Sequence, residues 1–231
     1  MTQTHLLTGA GSGIGQAVAH RLAARGDRLA LVARDAARAA ELSAAFPGSI
    51  PVVADLSHPD AIVDAVAAAG LPDAIDAIIH AAGIVELGAV AELPLTAWTD
   101  QLTVNLVAPA ELTRVVLPRV RAARGQVLFV NSGAGLNAHP DWAAYAASKH
   151  GLKALADALR GEEAPHGVRV TTVYPGRTAT PMQATVHEQE GRDYDPTAFI
   201  DVDSVATGIL TALDLPRDAV ISDLTVRPGP R

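Results

Sequence analysis

Short runs of Val, Ile and Leu recur along the chain between alanine-rich stretches whose apolar positions return every three or four residues. The short runs fit strands and the longer stretches fit helices with one buried stripe, so their alternation predicts βαβ units and a parallel sheet. Seven strands are expected, at residues 5–8, 28–33, 50–54, 74–80, 126–131, 168–173 and 220–226. Leu29, Ala30, Leu31 and Val32 are apolar without interruption, as required of a strand covered by helices on both faces. Helices are expected at 13–25, 35–46, 59–69, 95–121, 142–163 and 203–213. Residues 180–199 break the pattern. They are polar, include His187, Glu188, Gln189, Glu190, Gly191 and Arg192, and follow a strand end, where such a segment suits a substrate lid. No low-complexity linker or charge block offers a boundary, so residues 1–231 are expected to form a single domain.

Composition narrows the function. Hydrophobic residues are 49% of the chain and charged ones 19%, a balance that offsets the cost of ordering the backbone and excludes disorder as the main state. A net charge of −7 gives no broad positive field, so nucleic acid is not expected as a partner. The absence of cysteine removes disulfides, thiolate metal sites and a cysteine nucleophile. The eight histidines form no HxxxH or HExxH pattern, and no metal is expected. There is no 18-residue uncharged apolar run, and the opening MTQTHLLTGAGSGIG has neither a basic region nor an apolar signal segment. The expectation is a soluble cytoplasmic protein without a membrane partner. Sixteen of the 18 cations are arginine, which leaves only Lys149 and Lys153 as lysines. A lysine where chemistry demands one therefore carries weight.

The strongest local feature is TGAGSGIG, Thr8 to Gly15, between a predicted strand and a predicted helix. Gly9, Gly13 and Gly15 remove side chains that would block a tight turn, the approach of backbone to a pyrophosphate, and the packing of helix on strand. Backbone N–H groups at the helix start, from Ser12 to Ile14, are left facing an anion. This context points to a dinucleotide site and a doubly wound Rossmann fold. At the end of the second strand, LVARD offers Arg34 to the adenosine ribose, and a guanidinium there suits the 2′-phosphate of NADP. Asp35, one residue on, would suit NAD instead.

A second constellation carries chemistry. In YAASK, Tyr145 and Lys149 stand four residues apart on a predicted helix, on one face. A free phenol has a pKa of ~10 and is a poor acid–base group at neutral pH; a nearby ammonium is expected to lower it. Ser132, at the end of the predicted fifth strand, could donate to a substrate carbonyl while the phenol protonates the same oxygen. Asn105 places an amide within an apolar helical stretch, where it needs a partner. His139, Trp142 and Met182 lie where they could line a pocket, although loop, core or interface roles fit equally.

TGxxxGxG together with YxxxK resembles the short-chain dehydrogenase/reductase family, and the resemblance extends over essentially the whole chain. It implies a catalytic tetrad of Asn105, Ser132, Tyr145 and Lys149, with Lys149 also holding the nicotinamide ribose and Asn105 a water that links lysine to solvent. It further implies that Asp55, beside Leu56, contacts adenine. HAAG, where the family has NNAG, keeps Ala82 and Gly83 against the cofactor but loses an amide at Ala81. In YPGRTATPM, Pro175 and Gly176 would turn over the nicotinamide while Thr178 and Thr180 fix the carboxamide and pyrophosphate. The implied activity interconverts a ketone or aldehyde and an alcohol by hydride transfer, with NADP preferred and NAD as the alternative. Two rival readings are a cofactor-sensing protein without chemistry and, among enzymes, a 3-ketoacyl reductase. By analogy a homodimer or homotetramer is expected, paired through the helices at 95–121 and 142–163.

Overall fold

The computed structural model describes residues 2–230. Seven strands, β1 (Thr4–Thr8), β2 (Arg28–Ala33), β3 (Ile50–Val53), β4 (Ala77–His80), β5 (Gln126–Val130), β6 (Arg169–Pro175) and β7 (Asp223–Val226), form one parallel sheet in the order β3-β2-β1-β4-β5-β6-β7. Eight α-helices accompany it: α1 (Gly13–Ala24), α2 (Ala36–Ala45), α3 (Ile62–Ala68), α4 (Leu95–Leu102), α5 (Ala108–Ala123), α6 (Ala143–Glu163), α7 (Pro181–Gln189) and α8 (Val202–Asp214). This is the doubly wound α/β architecture that the alternation of runs predicts.

The uninterrupted apolar strands have a simple cause. Successive side chains of a strand point to opposite faces. Leu7, Ile79 and Leu128 accordingly join a core with Val18 and Leu22 of α1 and Ile209 of α8, while their neighbours Leu6, Ile78 and Val127 join another with Val66, Leu112, Val116 and Leu152. The central strands are therefore mostly apolar along their length, with buried polar exceptions such as His5 and Thr172. Strand order reverses at β1, which lies between β2 and β4. A crevice opens outside the carboxyl ends of strands at such a point.

Three departures from the sequence pattern matter. The helix expected over 95–121 is two helices joined by a π-helical turn, Thr103–Val107, in which the Ala108 N–H reaches back five residues to the Thr103 carbonyl. Pro109 follows directly; it has no N–H to give, and its ring would press on the carbonyl four residues earlier in a regular helix. Residues 180–199 are largely helical: Thr180 caps α7 by accepting from the Gln183 N–H, and a short 3₁₀ turn runs Pro196–Ala198. The last strand begins at Asp223 rather than 220.

Candidate active site

The carboxyl ends of β1, β4, β5 and β6 stand side by side, with Thr8 opposite His80, His80 opposite Phe129 and Val130 opposite Val173. A cavity of about 550 Å³ opens along this edge. Its walls are the glycine turn after β1, residues 81–85 after β4, Ser132 after β5, Tyr145 and Lys149 of α6, and the segment from Pro175 into α7.

The glycine turn is built by close approach. A Cβ on Gly15 would lie 2.3 Å from the Gly9 carbonyl oxygen, and one on Gly9 would lie 2.8 Å from the backbone of Ala81 and Ala82. Gly9 also has φ +74° and Gly13 φ +52°, the left-handed region that side chains resist. The Thr8 hydroxyl accepts from the N–H groups of Ala81 and Ala82, both at 3.0 Å, and so ties the turn to the end of β4. Ala81, where the resembled motif has an amide, is held through its backbone N–H by a threonine on the neighbouring strand. Gly9, Ser12, Gly13 and Ile14 line the cavity, while Thr8 and Gly15 support it from behind.

On the opposite wall, Tyr145 and Lys149 are buried one turn apart. The Lys149 ammonium lies 5.7 Å from the centre of the Tyr145 ring, and its Nζ donates to the Val130 carbonyl at 3.3 Å. Burial pushes the Tyr145 phenol up to about 12, with the Ser132 hydroxyl acting in the opposite sense. Burial pulls Lys149 down to about 8. The expectation that the neighbouring ammonium lowers the phenol is therefore corrected: desolvation dominates, and Tyr145 holds its proton at neutral pH. Ser132 lies in the same wall, where its Oγ accepts from the Ala134 N–H.

Asn105 is fully buried in the π turn. Its Oδ1 accepts from the Ile84 N–H, and its Nδ2 donates to the Ile84 carbonyl and to Ser148 Oγ. A Cβ on Gly83 would lie 3.1 Å from Asn105 Oδ1 and 3.6 Å from Lys149 Nζ, so Gly83 leaves the gap between them open. Asn131 is a residue that sequence reasoning missed. It accepts from the Ser132 N–H and donates to the Lys149 carbonyl, clamping the end of β5 to α6. A buried amide at the end of an apolar strand was the available signal.

At the adenosine end, some expected residues stand apart from the cavity. The Arg34 guanidinium is exposed and pairs with Asp35 at 3.1 Å, and Asp35 also caps α2 by accepting from the Arg38 N–H. Asp55 accepts from the N–H and hydroxyl of Ser57, and Leu56 packs against the core. Arg38, also missed from sequence, lies over the glycine turn and donates to the Gly11 carbonyl at 2.9 Å. Gly176, Thr178 and Thr180 line the cavity; Thr178 donates to the Gly176 carbonyl, and Thr180 faces Gly13. Trp142 and Met182 line it too, and His139 lines a neighbouring cavity.

The glycines meet a dinucleotide's needs as far as backbone can: close approach, exposed N–H groups and a crevice of suitable volume. Comparison with known proteins agrees. The family model described as short chain dehydrogenase matches residues 3–191. An uncharacterised short-chain type dehydrogenase/reductase of Sinorhizobium fredii is 33% identical over 228 residues, covering 96% of this chain and 90% of that protein. A Streptomyces violaceoruber protein named as ketoacyl reductase 1 of the granaticin polyketide synthase is 37% identical over 191 residues, covering 79% of this chain and 70% of that one. Among solved structures, a metagenomic short-chain oxidoreductase in complex with NADP superposes with a TM-score of 0.78 at 32% identity, covering 99% of this chain and 98% of that one. A short-chain dehydrogenase of Streptomyces avermitilis gives 0.83 at 28% identity, covering 98% and 88%.

Proposed function

The chain belongs to the short-chain dehydrogenase/reductase family of oxidoreductases, and from that premise we propose that it is an NADP-preferring enzyme interconverting a ketone or aldehyde and an alcohol. The observation that carries this reading is the convergence of Ser132, Tyr145 and Lys149 on a cavity that runs on to the glycine turn. When bound, the dinucleotide supplies the hydride or accepts it. The chain's own work is to orient and to handle the proton. Ser132 offers a hydroxyl to the carbonyl oxygen, and Tyr145, protonated at neutral pH, gives its proton to the same oxygen as the alcohol forms. In oxidation the phenolate takes that proton back. Lys149 holds ribose hydroxyls and is the ammonium nearest the phenol ring. Asn105 fixes Ile84 and Ser148 around them.

The preference for NADP rests on the end of β2. Ala33 puts no carboxylate there, the Asp35 carboxylate is engaged as a helix cap, and Arg34 and Arg38 both stand beside the glycine turn or the strand end. Titration with NADPH and NADH should show tighter binding of NADPH; equal affinities would remove the preference. Tyr145→Phe should retain NADPH binding and lose at least roughly 10²-fold in turnover of a carbonyl panel, the scale of one general acid. Unchanged turnover would refute the assignment.

A narrower reading, 3-ketoacyl reduction, is favoured by the likeness to the Streptomyces violaceoruber protein and is decided by turnover of a 3-ketoacyl thioester. Exposed Leu95 and Val107, at the start of α4 and in the π turn, support pairing of two copies through this side of the molecule. Among the described residues no helix is long and apolar enough to cross a membrane, and a cytoplasmic setting is part of the same proposal.

A further inference from the structure

Next to the large cavity lies a second, of about 420 Å³, which shares Ser132, Trp142, Pro175, Gly176 and Arg177 with it. The rest of its wall mixes small and polar residues, Asn137 and His139 among them, with charged ones: Glu190 and Arg192 follow from α7, and Arg227 comes from the segment after β7. Three guanidiniums thus face one carboxylate, in a chain whose overall charge is −7. That carboxylate is already occupied, because both Glu190 oxygens accept from the Arg177 guanidinium. Arg192 stands 4.0 Å from Glu190. The Arg227 guanidinium has no hydrogen bond or ion pair with any described residue.

The Arg227 guanidinium reaches the turn after β5: a Cβ on Gly133 would lie 2.8 Å from Arg227 Nη1, so the guanidinium lies against the residue next to Ser132. With successive Cα atoms about 3.8 Å apart, Nη1 is within about 8 Å of the Ser132 Cα. A compact substrate can therefore span from the reacting end to this cation.

We infer that the second cavity is an oxyanion site for the substrate. The carbonyl compound carries a carboxylate a few bonds from its reacting carbon; Arg227 is the principal ligand of that carboxylate, and Arg192 adds to it. A guanidinium presents a planar pair of donors that matches a carboxylate. The inference rests on the proposed roles of Ser132 and Tyr145 only for the location of the carbonyl end. The cation cluster stands independently of them.

The test uses two acids and their neutral counterparts, 4-formylbenzoate and 4-oxopentanoate against their methyl esters. Binding is measured by calorimetry with and without oxidised NADP, so that no turnover intervenes, and kcat/KM is measured separately with NADPH. The acids should bind at least roughly tenfold more tightly than the esters, and Arg227→Gln should cut that ratio roughly tenfold, as for loss of one charged hydrogen-bond partner. Arg227→Glu should reverse the preference. Arg192→Gln should have a smaller effect, and Arg28→Gln, at the opposite end of the sheet, none. Esters that bind as tightly as acids, no binding of the acids, or a ratio untouched by Arg227→Gln would each overturn the inference. If the acids bind through Arg227 but no carbonyl is reduced, the anion site stands and the proposed carbonyl reduction fails. If the esters are reduced without preference for the acids, the reverse holds.

Discussion

His80 shows how one buried residue links the site to the stability of the whole. It ends β4, its ring stacks on Phe129 at 4.9 Å, and its Nε2 is 2.9 Å from the Thr113 hydroxyl. Burial pulls its pKa from an ordinary 6.5 to about 3. The folded chain therefore binds fewer protons at this ring than the unfolded chain does between those values. The corresponding stability is complete above pH 6.5 and is lost as pH falls, at up to about 1.4 kcal/mol per pH unit. Urea midpoints measured between pH 7 and pH 5 should drop more steeply for the native sequence than for His80→Gln. Parallel profiles would show that His80 does not carry the effect. His5, also buried and also pulled down by burial, acts in the same direction and remains in both proteins.

Among the elements, α7 is the one whose stability bears most directly on the site. Thr180 does two jobs in it: its hydroxyl accepts from the Gln183 N–H to cap the helix, and its methyl faces Gly13 across the cavity. His187 is buried on the same helix, in contact with Tyr194 and Phe199, which stack on each other at 5.7 Å. The segment after β6 thus has its own aromatic cluster and a defined start, as a lid that swings as one piece would need. Loss of the cap in Thr180→Ala should cost about 1 kcal/mol locally. Amide exchange should accelerate roughly fivefold over residues 181–189, and cofactor affinity should fall with it. Exchange that accelerates equally throughout the chain would mean that the element has no stability of its own.

For the whole molecule, the two cores share one sheet, so neither can be lost without exposing the other face of the same strands. A single unfolding transition is the expected result, and two separated transitions would contradict a one-domain chain. Cofactor binding adds to that stability by mass action. NADPH at a hundredfold excess over its Kd contributes about 2.7 kcal/mol, or a rise in Tm of about 5–10 °C for a chain of this size. NADH at the same concentration should give a smaller rise, and the order of the two reports the preference without any need for a substrate.

The sequence alone determined the sheet, most of its helices and the glycine turn and Tyr–Lys pair that stand at the cavity, because those depend on short-range facts. Strands buried on both faces are mostly apolar without alternation, a glycine is required where backbones close to 2.3 Å of a virtual Cβ, and Tyr145 and Lys149 share a helix face by spacing alone. What the tertiary structure decided concerns contacts between distant segments and the water they exclude. Asn131 was hidden because its partner, the Lys149 carbonyl, is 18 residues away, and Arg38 because the Gly11 carbonyl is 27 away. The upward shift of the Tyr145 phenol was hidden because desolvation depends on everything packed around it. Arg227 is the furthest case: more than ninety residues separate it from Gly133, and no local pattern could show that the two meet beside Ser132.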